Sequence, residues 1–168
     1  MWRRYAIALS GIIVLGLLPG SALSQQKSLK DQLVGTWNVV SVEQTNKDGT
    51  KSQRFGANPK GVYAFDANGH FFMMFVRPDL PKIASNNATT ATPEEAKAIV
   101  AGSIAYSGTY TVDEAGKTVE LRIEATTLPN QSAVQKRIIT SLTADELKFT
   151  NPTTVDGNVI NAAFKRAK

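Results

Sequence analysis

The chain has 168 residues, of which 42% are hydrophobic and 20% charged, so it is long enough for one domain with a real core and is not composed like a disordered chain. It contains no Cys and only one His, His70, which excludes disulfides, a thiolate nucleophile, a Cys-linked lipid anchor and a multi-histidine metal site. The formal net charge is +5, with the basic residues scattered rather than clustered, so we expect no nucleic-acid partner.

The N-terminal residues, 1–24, have the pattern of a secretory signal peptide. Two arginines precede an apolar run at residues 5–18, which is short for a membrane-spanning helix. The small residues Ala22 and Ser24 then stand at the two positions that a signal peptidase reads. We therefore predict cleavage after Ser24, export to the periplasm or the medium of a bacterium by the Sec or Tat route, and no stable membrane anchor afterwards. An uncleaved anchor is the alternative.

The remaining sequence predicts a polar leader, 25–32, and one all-β domain, 33–168. Most of the predicted strands are separated by short turn-forming segments, such as the one that joins 60–66 to 70–77. This spacing favours an eight-stranded antiparallel up-and-down β-barrel over a sheet with helical crossovers. The eight predicted strands are 33–43, 60–66, 70–77, 104–112, 117–125, 133–142, 146–150 and 158–166.

One short helix is expected between the third and fourth strands. Thr92 offers a capping hydroxyl, Pro93 suits the first helical position, and good helix formers fill 96–103. We expect this helix to cover the outer side of strand 70–77, which is apolar on both faces. The connection 78–91 is unusually long, which is typical of a lid or binding loop and also of a disordered segment.

The predicted barrel interior supplies the candidate ligand contacts, since a barrel of eight strands is either filled by side chains or holds one small ligand. An inward Arg needs an internal acid, an anionic ligand or trapped water, because a buried unpaired charge is costly. We expect a ligand carboxylate or enolate at Arg77 or Arg137; the alternative is that each reaches the rim or pairs with Asp66, Asp79 or Glu124. The predicted ligand-binding residues are Phe71, Met73, Phe75, Arg77, Tyr106, Tyr110 and Arg137.

Six motifs, in order along nearly the whole mature chain, resemble the lipocalin-like domain family of bacteria and fungi. They are LVGTW at 33–37, FGANPKG at 55–61, RPD at 77–79, TPEEAK at 92–97, IAYSGTY at 104–110 and FKR at 164–166. The resemblance implies a lipocalin-type barrel in which Trp37, of the signature formed with Gly35, closes one end. It also implies a cation–π contact between Arg166 and Trp37. It brings no set of catalytic residues.

Together these features predict a secreted or periplasmic carrier or sequestrant of a small apolar or amphipathic molecule, with no metal and no cofactor. The alternative is a cofactor-independent cyclase or isomerase acting on an apolar substrate inside the barrel. In that reading Tyr106, Tyr110 or His70 is the proton donor and Arg137 holds an oxyanion. A third hypothesis is an envelope interaction protein that uses the loop 78–91. Ligand identity, catalytic residues and oligomeric state stay unknown.

Overall fold

The structure, a computed structural model, describes residues 27–168. The predicted signal peptide lies outside the described residues. In chain order the elements are α1 (Leu29–Leu33), β1 (Gly35–Thr45), β2 (Lys51–Ser52), β3 (Lys60–Phe65), β4 (His70–Val76), a 3-10 turn (Ala88–Thr90), α2 (Pro93–Gly102), β5 (Ser103–Asp113), β6 (Thr118–Thr126), β7 (Val134–Leu142), β8 (Glu146–Asn151) and β9 (Val159–Arg166).

The sheet closes on itself. Every neighbouring pair of strands is antiparallel, and β1 pairs with both β3 and β9. The two-residue β2 adds only to the end of β1 and stands outside the ring. The predicted eight-stranded antiparallel barrel is confirmed, as is the helix between its third and fourth strands, β4 and β5.

The alternating strands gather their connections at two ends of the barrel. The end near Trp37, which we call the floor, carries α1 and the turns before β4, β6 and β8. The opposite end, which we call the mouth, carries the long connections between β1 and β3 and between β4 and β5. Helix α1 spans the boundary predicted between leader and barrel. Leu33 ends this helix, and its buried side chain covers the floor.

The floor half of the barrel is filled by aromatic and aliphatic side chains. The ring of Tyr63 stacks on Phe65 with centroids 4.5 Å apart, and Phe149 stacks on Phe164 at 5.0 Å. Large aromatic side chains bury much apolar area, so this cluster supplies much of the hydrophobic stabilisation. The fully buried residues of this half are Leu33, Trp37, Tyr63, Val119, Leu121, Leu147 and Phe164.

Helix α2 begins as the sequence predicts. The hydroxyl of Thr92 accepts from the backbone N–H of Glu95 at 3.2 Å, and the Glu95 carboxylate accepts from the backbone N–H of Thr92 at 2.9 Å. This reciprocal pair satisfies two donors that the first turn leaves free. Within residues 27–168, no helix is long and apolar enough to cross a membrane.

The prediction that α2 covers the outer face of β4 is wrong. Phe72 and Met74 on that face are 43% and 41% exposed. Helix α2 runs directly into β5, which holds it at the mouth instead of along the wall. Arg54 ties it there by donating to the carbonyls of Ala101 and Val100 at 3.0 and 3.3 Å.

Candidate ligand-binding site

A cavity enters the upper half of the barrel from the mouth. Its volume, counted as the space that the centre of a water molecule can reach, is about 90 Å³. Its walls combine aromatic and aliphatic side chains with a small group of buried polar ones. The apolar walls include Met73, Phe75, Ile104, Phe149 and Ala162, and the polar group is Tyr106, Gln135, Arg137 and Asn151.

A wider depression of about 570 Å³ adjoins this cavity on the solvent side. We call it the vestibule. It continues the cavity outward, because both are lined by Gln44, Arg54, Leu128, Gln131, Val155 and Asp156. A molecule longer than the inner cavity therefore has room to extend toward solvent.

Arg137 lies at the inner end of the cavity and is 4% exposed. Its Nη2 donates to the Tyr106 hydroxyl at 2.7 Å and to Gln135 Oε1 at 2.5 Å, and its Nη1 donates to the carbonyl of Lys136 at 3.1 Å. The guanidinium also lies 5.6 Å from the ring centroid of Phe149. Strand alternation on β7 turns Gln135 and Arg137 inward together.

Tyr63 lies behind this polar group and does not line the cavity. Its side chain is fully buried, and its hydroxyl, which lies beside Tyr106 and Arg137, has no hydrogen-bond partner of acceptable geometry within residues 27–168. Burial raises the pKa of this hydroxyl well above its ordinary value. Tyr63 therefore stays protonated and neutral beside the Arg137 guanidinium.

The structure brings together four of the predicted ligand contacts, Met73, Phe75, Tyr106 and Arg137. Two others lie elsewhere in the interior. Phe71 packs below the cavity, with its ring centroid 5.9 Å from that of Tyr106. Tyr110 is at the floor, where its hydroxyl donates to the carbonyl of Asp66 at 2.6 Å.

Arg77 does not contribute to the cavity. Strand β4 ends at Val76, so the alternation that predicted an inward side chain at residue 77 no longer applies there. Arg77 instead forms an exposed ion pair with Asp79, 2.8 Å between Nη2 and Oδ2. The expectation of a ligand anion at Arg77 is replaced by this pairing, which was one of the alternatives. His70 likewise lies outside, with Nδ1 3.4 Å from Asp66 at the floor.

The loop 78–91 is an ordinary surface segment in this structure. Its residues line neither the cavity nor the vestibule. Asn87 instead organises the segment locally by accepting from the backbone N–H of Thr89 at 3.0 Å and from its hydroxyl at 2.8 Å. The loop therefore takes no part in the candidate site.

The floor carries the contact that the resemblance implied. The guanidinium of Arg166 lies 4.0 Å from the ring centroid of Trp37, and the indole N–H of Trp37 donates to the carbonyl of Leu33 at 2.8 Å. Gly35 has a φ of +130°, which favours glycine, and a Cβ there would also approach Arg166 Nη1 to 2.7 Å and displace the guanidinium. These residues close the barrel and lie at the end opposite the cavity.

A closed eight-stranded barrel, plugged by a Trp at one end and entered by a cavity at the other, is a lipocalin-type barrel, a class that binds small molecules. A family model described as a lipocalin-like domain matches residues 34–167, and the chain belongs to that family. No match was found among curated proteins.

Three solved structures are similar to this chain. One is a lipocalin-like protein from Bacteroides uniformis, 14% identical, covering 81% of this chain and 99% of that one with a TM-score of 0.44. Another is a redesigned beta barrel, b11L5F_LGL, 20% identical, covering 86% and 100% with a TM-score of 0.45. The third is EF1p2_mFAP2b bound to DFHBI, 16% identical, covering 83% and 98% with a TM-score of 0.43.

Proposed function

We propose that this protein is exported and binds a small apolar or amphipathic molecule in its barrel, as a carrier or sequestrant. The observation that carries the proposal is the cavity itself. It is open at the mouth, walled by aromatic and aliphatic side chains, and supplied with a few buried polar groups at its inner end. Small-molecule sites have this composition, in which apolar surface supplies affinity and a few polar groups fix orientation.

The size of the cavity limits the ligand. An inner space of about 90 Å³ accepts a small group or one end of a molecule, and the vestibule accepts the remainder. Met73 lies in the wall, and its unbranched side chain adapts to guests of different shape. These features support a slender ligand that enters end first. The predicted signal peptide supports a role outside the cytoplasm.

The experiment is a binding panel on the purified protein. Fluorescent fatty acids, retinoids and hydrophobic dyes are titrated, and each positive is competed with its non-fluorescent analogue. The proposal expects saturable binding of at least one class with one molecule per chain. If every member of the panel fails to bind a protein that unfolds cooperatively, the binding proposal is wrong.

The enzyme alternative rests on one specific contact, the hydrogen bond from Arg137 to the Tyr106 hydroxyl inside the cavity. A phenol beside a buried cation suits protonation of a substrate or stabilisation of an oxyanion. A base is harder to find, because within the described chain the one carboxylate that lines the cavity, Asp156, is exposed at the mouth. We therefore retain binding as the proposed function.

A further inference from the structure

The inner end of the cavity has more hydrogen-bond donors than acceptors. A guanidinium has five N–H donors, and three of those on Arg137 are engaged. The Nε hydrogen and one Nη1 hydrogen make no hydrogen bond of acceptable geometry within residues 27–168. The Oε1 of Gln135 is already used by Arg137, which leaves its two amide hydrogens as further donors toward the cavity.

Tyr106 adds to this excess. Its hydroxyl lines the cavity and accepts from Arg137, so its own hydrogen is free to turn toward a ligand. The hydroxyl of Tyr63 lies behind these groups, fully buried and away from the cavity wall. A buried donor that stays unpaired costs about 1–3 kcal/mol, so the free donors of Arg137 and Tyr106 call for an acceptor in the cavity.

The inner end of the cavity also carries an uncompensated positive charge. Arg137 remains protonated at any pH that a protein tolerates, and it is buried. Each ion pair within residues 27–168 lies on the outer surface, and none includes Arg137. The cation at the inner end of the cavity therefore has no protein counterion, whereas buried charges are ordinarily paired.

We propose that the molecule bound in the barrel carries a carboxylate, and that Arg137 and Tyr106 bind it. This inference rests on the proposed binding function and names the chemical class of the ligand. The apolar body of the acid lies against Phe75 and Phe149 and continues into the vestibule. A singly charged head group matches a single guanidinium with neutral donors around it, whereas a doubly charged phosphate would leave one charge unpaired.

The test compares an acid with its matched alcohol. Octanoate and 1-octanol share the same hydrocarbon chain, and their dissociation constants are measured by calorimetry on the wild-type protein, on Arg137→Met and on Tyr106→Phe. Arg122→Met is the control, since Arg122 is exposed on the outside of β6 and its loss changes the net charge equally. We expect octanoate to bind the wild type about tenfold or more tighter than 1-octanol.

The variants decide whether the named residues cause the preference. In Arg137→Met the ratio of the two constants should fall to about one, in Tyr106→Phe it should fall by about threefold to tenfold, and in Arg122→Met it should stay unchanged. Tyr106→Phe removes only one hydroxyl, so it remains informative if Arg137→Met does not fold. Its failure to change the ratio would count against the inference.

Failure of the carboxylate inference and failure of the proposed function give different results. Equal binding of octanoate and 1-octanol to the wild type overturns the carboxylate inference and leaves the proposed binding function in place. A preference for octanoate that survives in Arg137→Met also overturns it, because the acid is then bound elsewhere. If the wild type binds neither compound and no member of the hydrophobic panel, the proposed function itself fails.

Discussion

Arg137 and Tyr106 meet across the inside of the barrel. The bond of 2.7 Å from Nη2 to the Tyr106 hydroxyl joins β7 to β5, which are separated in the wall by β6. The bond therefore crosses the interior and holds the guanidinium in a fixed place. A binding group that is already positioned loses less conformational freedom when a ligand arrives.

Filling the cavity should abolish binding without unfolding the barrel. Ala162 is buried in the cavity wall, and in Ala162→Phe the new ring occupies the space that a ligand needs. We expect loss of dye binding by fluorescence titration, with cooperative urea unfolding retained at a cost of about 1–3 kcal/mol. Ala163→Phe is the control, because Ala163 follows on the same strand and faces outward. Wild-type affinity in Ala162→Phe would place the ligand outside the barrel.

The barrel could be predicted because its strands have one solvent-exposed and one buried face. The alternation in β5 and β6 specified both the strands and the side that turns inward. The position of α2 could not be predicted in this way. The apolar outer residues Phe72 and Met74 indicated a covered face, but periodicity gives no information on whether a neighbouring helix lies along the wall or at its end.

The Arg166 contact should stabilise the fold and leave ligand binding unaffected. Besides covering Trp37, Arg166 donates to the carbonyls of Val34 and Gln32 at 2.9 and 2.6 Å. Arg166→Met removes the charge and these bonds, and we expect about 1–3 kcal/mol less stability in urea. Arg166→Lys should fall between, because Lys keeps the charge but not the planar fork. Equal stability of Arg166→Met and wild type would show that the contact is not stabilising.

Tyr110 should make stability depend on alkaline pH. Burial, followed by the nearby carboxylates of Asp66 and Asp31, raises its pKa from 10.0 to about 12. A group whose pKa is higher in the folded state stabilises fully below its unfolded pKa, and that contribution is lost as pH rises toward the folded value.

The measurement is the free energy of unfolding across this interval, from pH 10 to about 12, in wild type and in Tyr110→Phe. We expect the wild type to lose stability more steeply, and Tyr110→Phe to be less stable at neutral pH by about 0.5–1.5 kcal/mol for the lost bond to the Asp66 carbonyl. Parallel pH profiles would rule out this role for Tyr110.

Export should remove the first 24 residues. When the full chain is produced in a bacterium, we expect the mature protein in the periplasm or medium to begin at Gln25, as read by N-terminal sequencing. Ser24→Arg replaces the small residue before the cleavage point and should leave the precursor uncut. The prediction would be contradicted if the exported protein kept residues 1–24, or if Ser24→Arg were cleaved like the wild type.

The candidate site was only partly visible in the sequence, and particular residues show why. Arg137 and Tyr106 were found because both stand on alternating strands. Asn151 was missed although it follows Leu147 and Phe149 on the same face of β8. The prediction for Arg77 was wrong because β4 ends at Val76, one residue before the predicted end, so strand alternation does not orient the side chain of residue 77. Which end of a barrel stays empty depends on how side chains from all eight strands fill it, and no single strand carries that information.

The most direct test of an occupied barrel is native mass spectrometry of the protein purified from the cells that naturally produce it, alongside Ala162→Phe produced in the same way. The account predicts that the wild type retains one organic molecule per chain, released on unfolding, and that Ala162→Phe carries none. The same retained mass on both proteins, or none on a wild type that also binds no member of the hydrophobic panel, would contradict it.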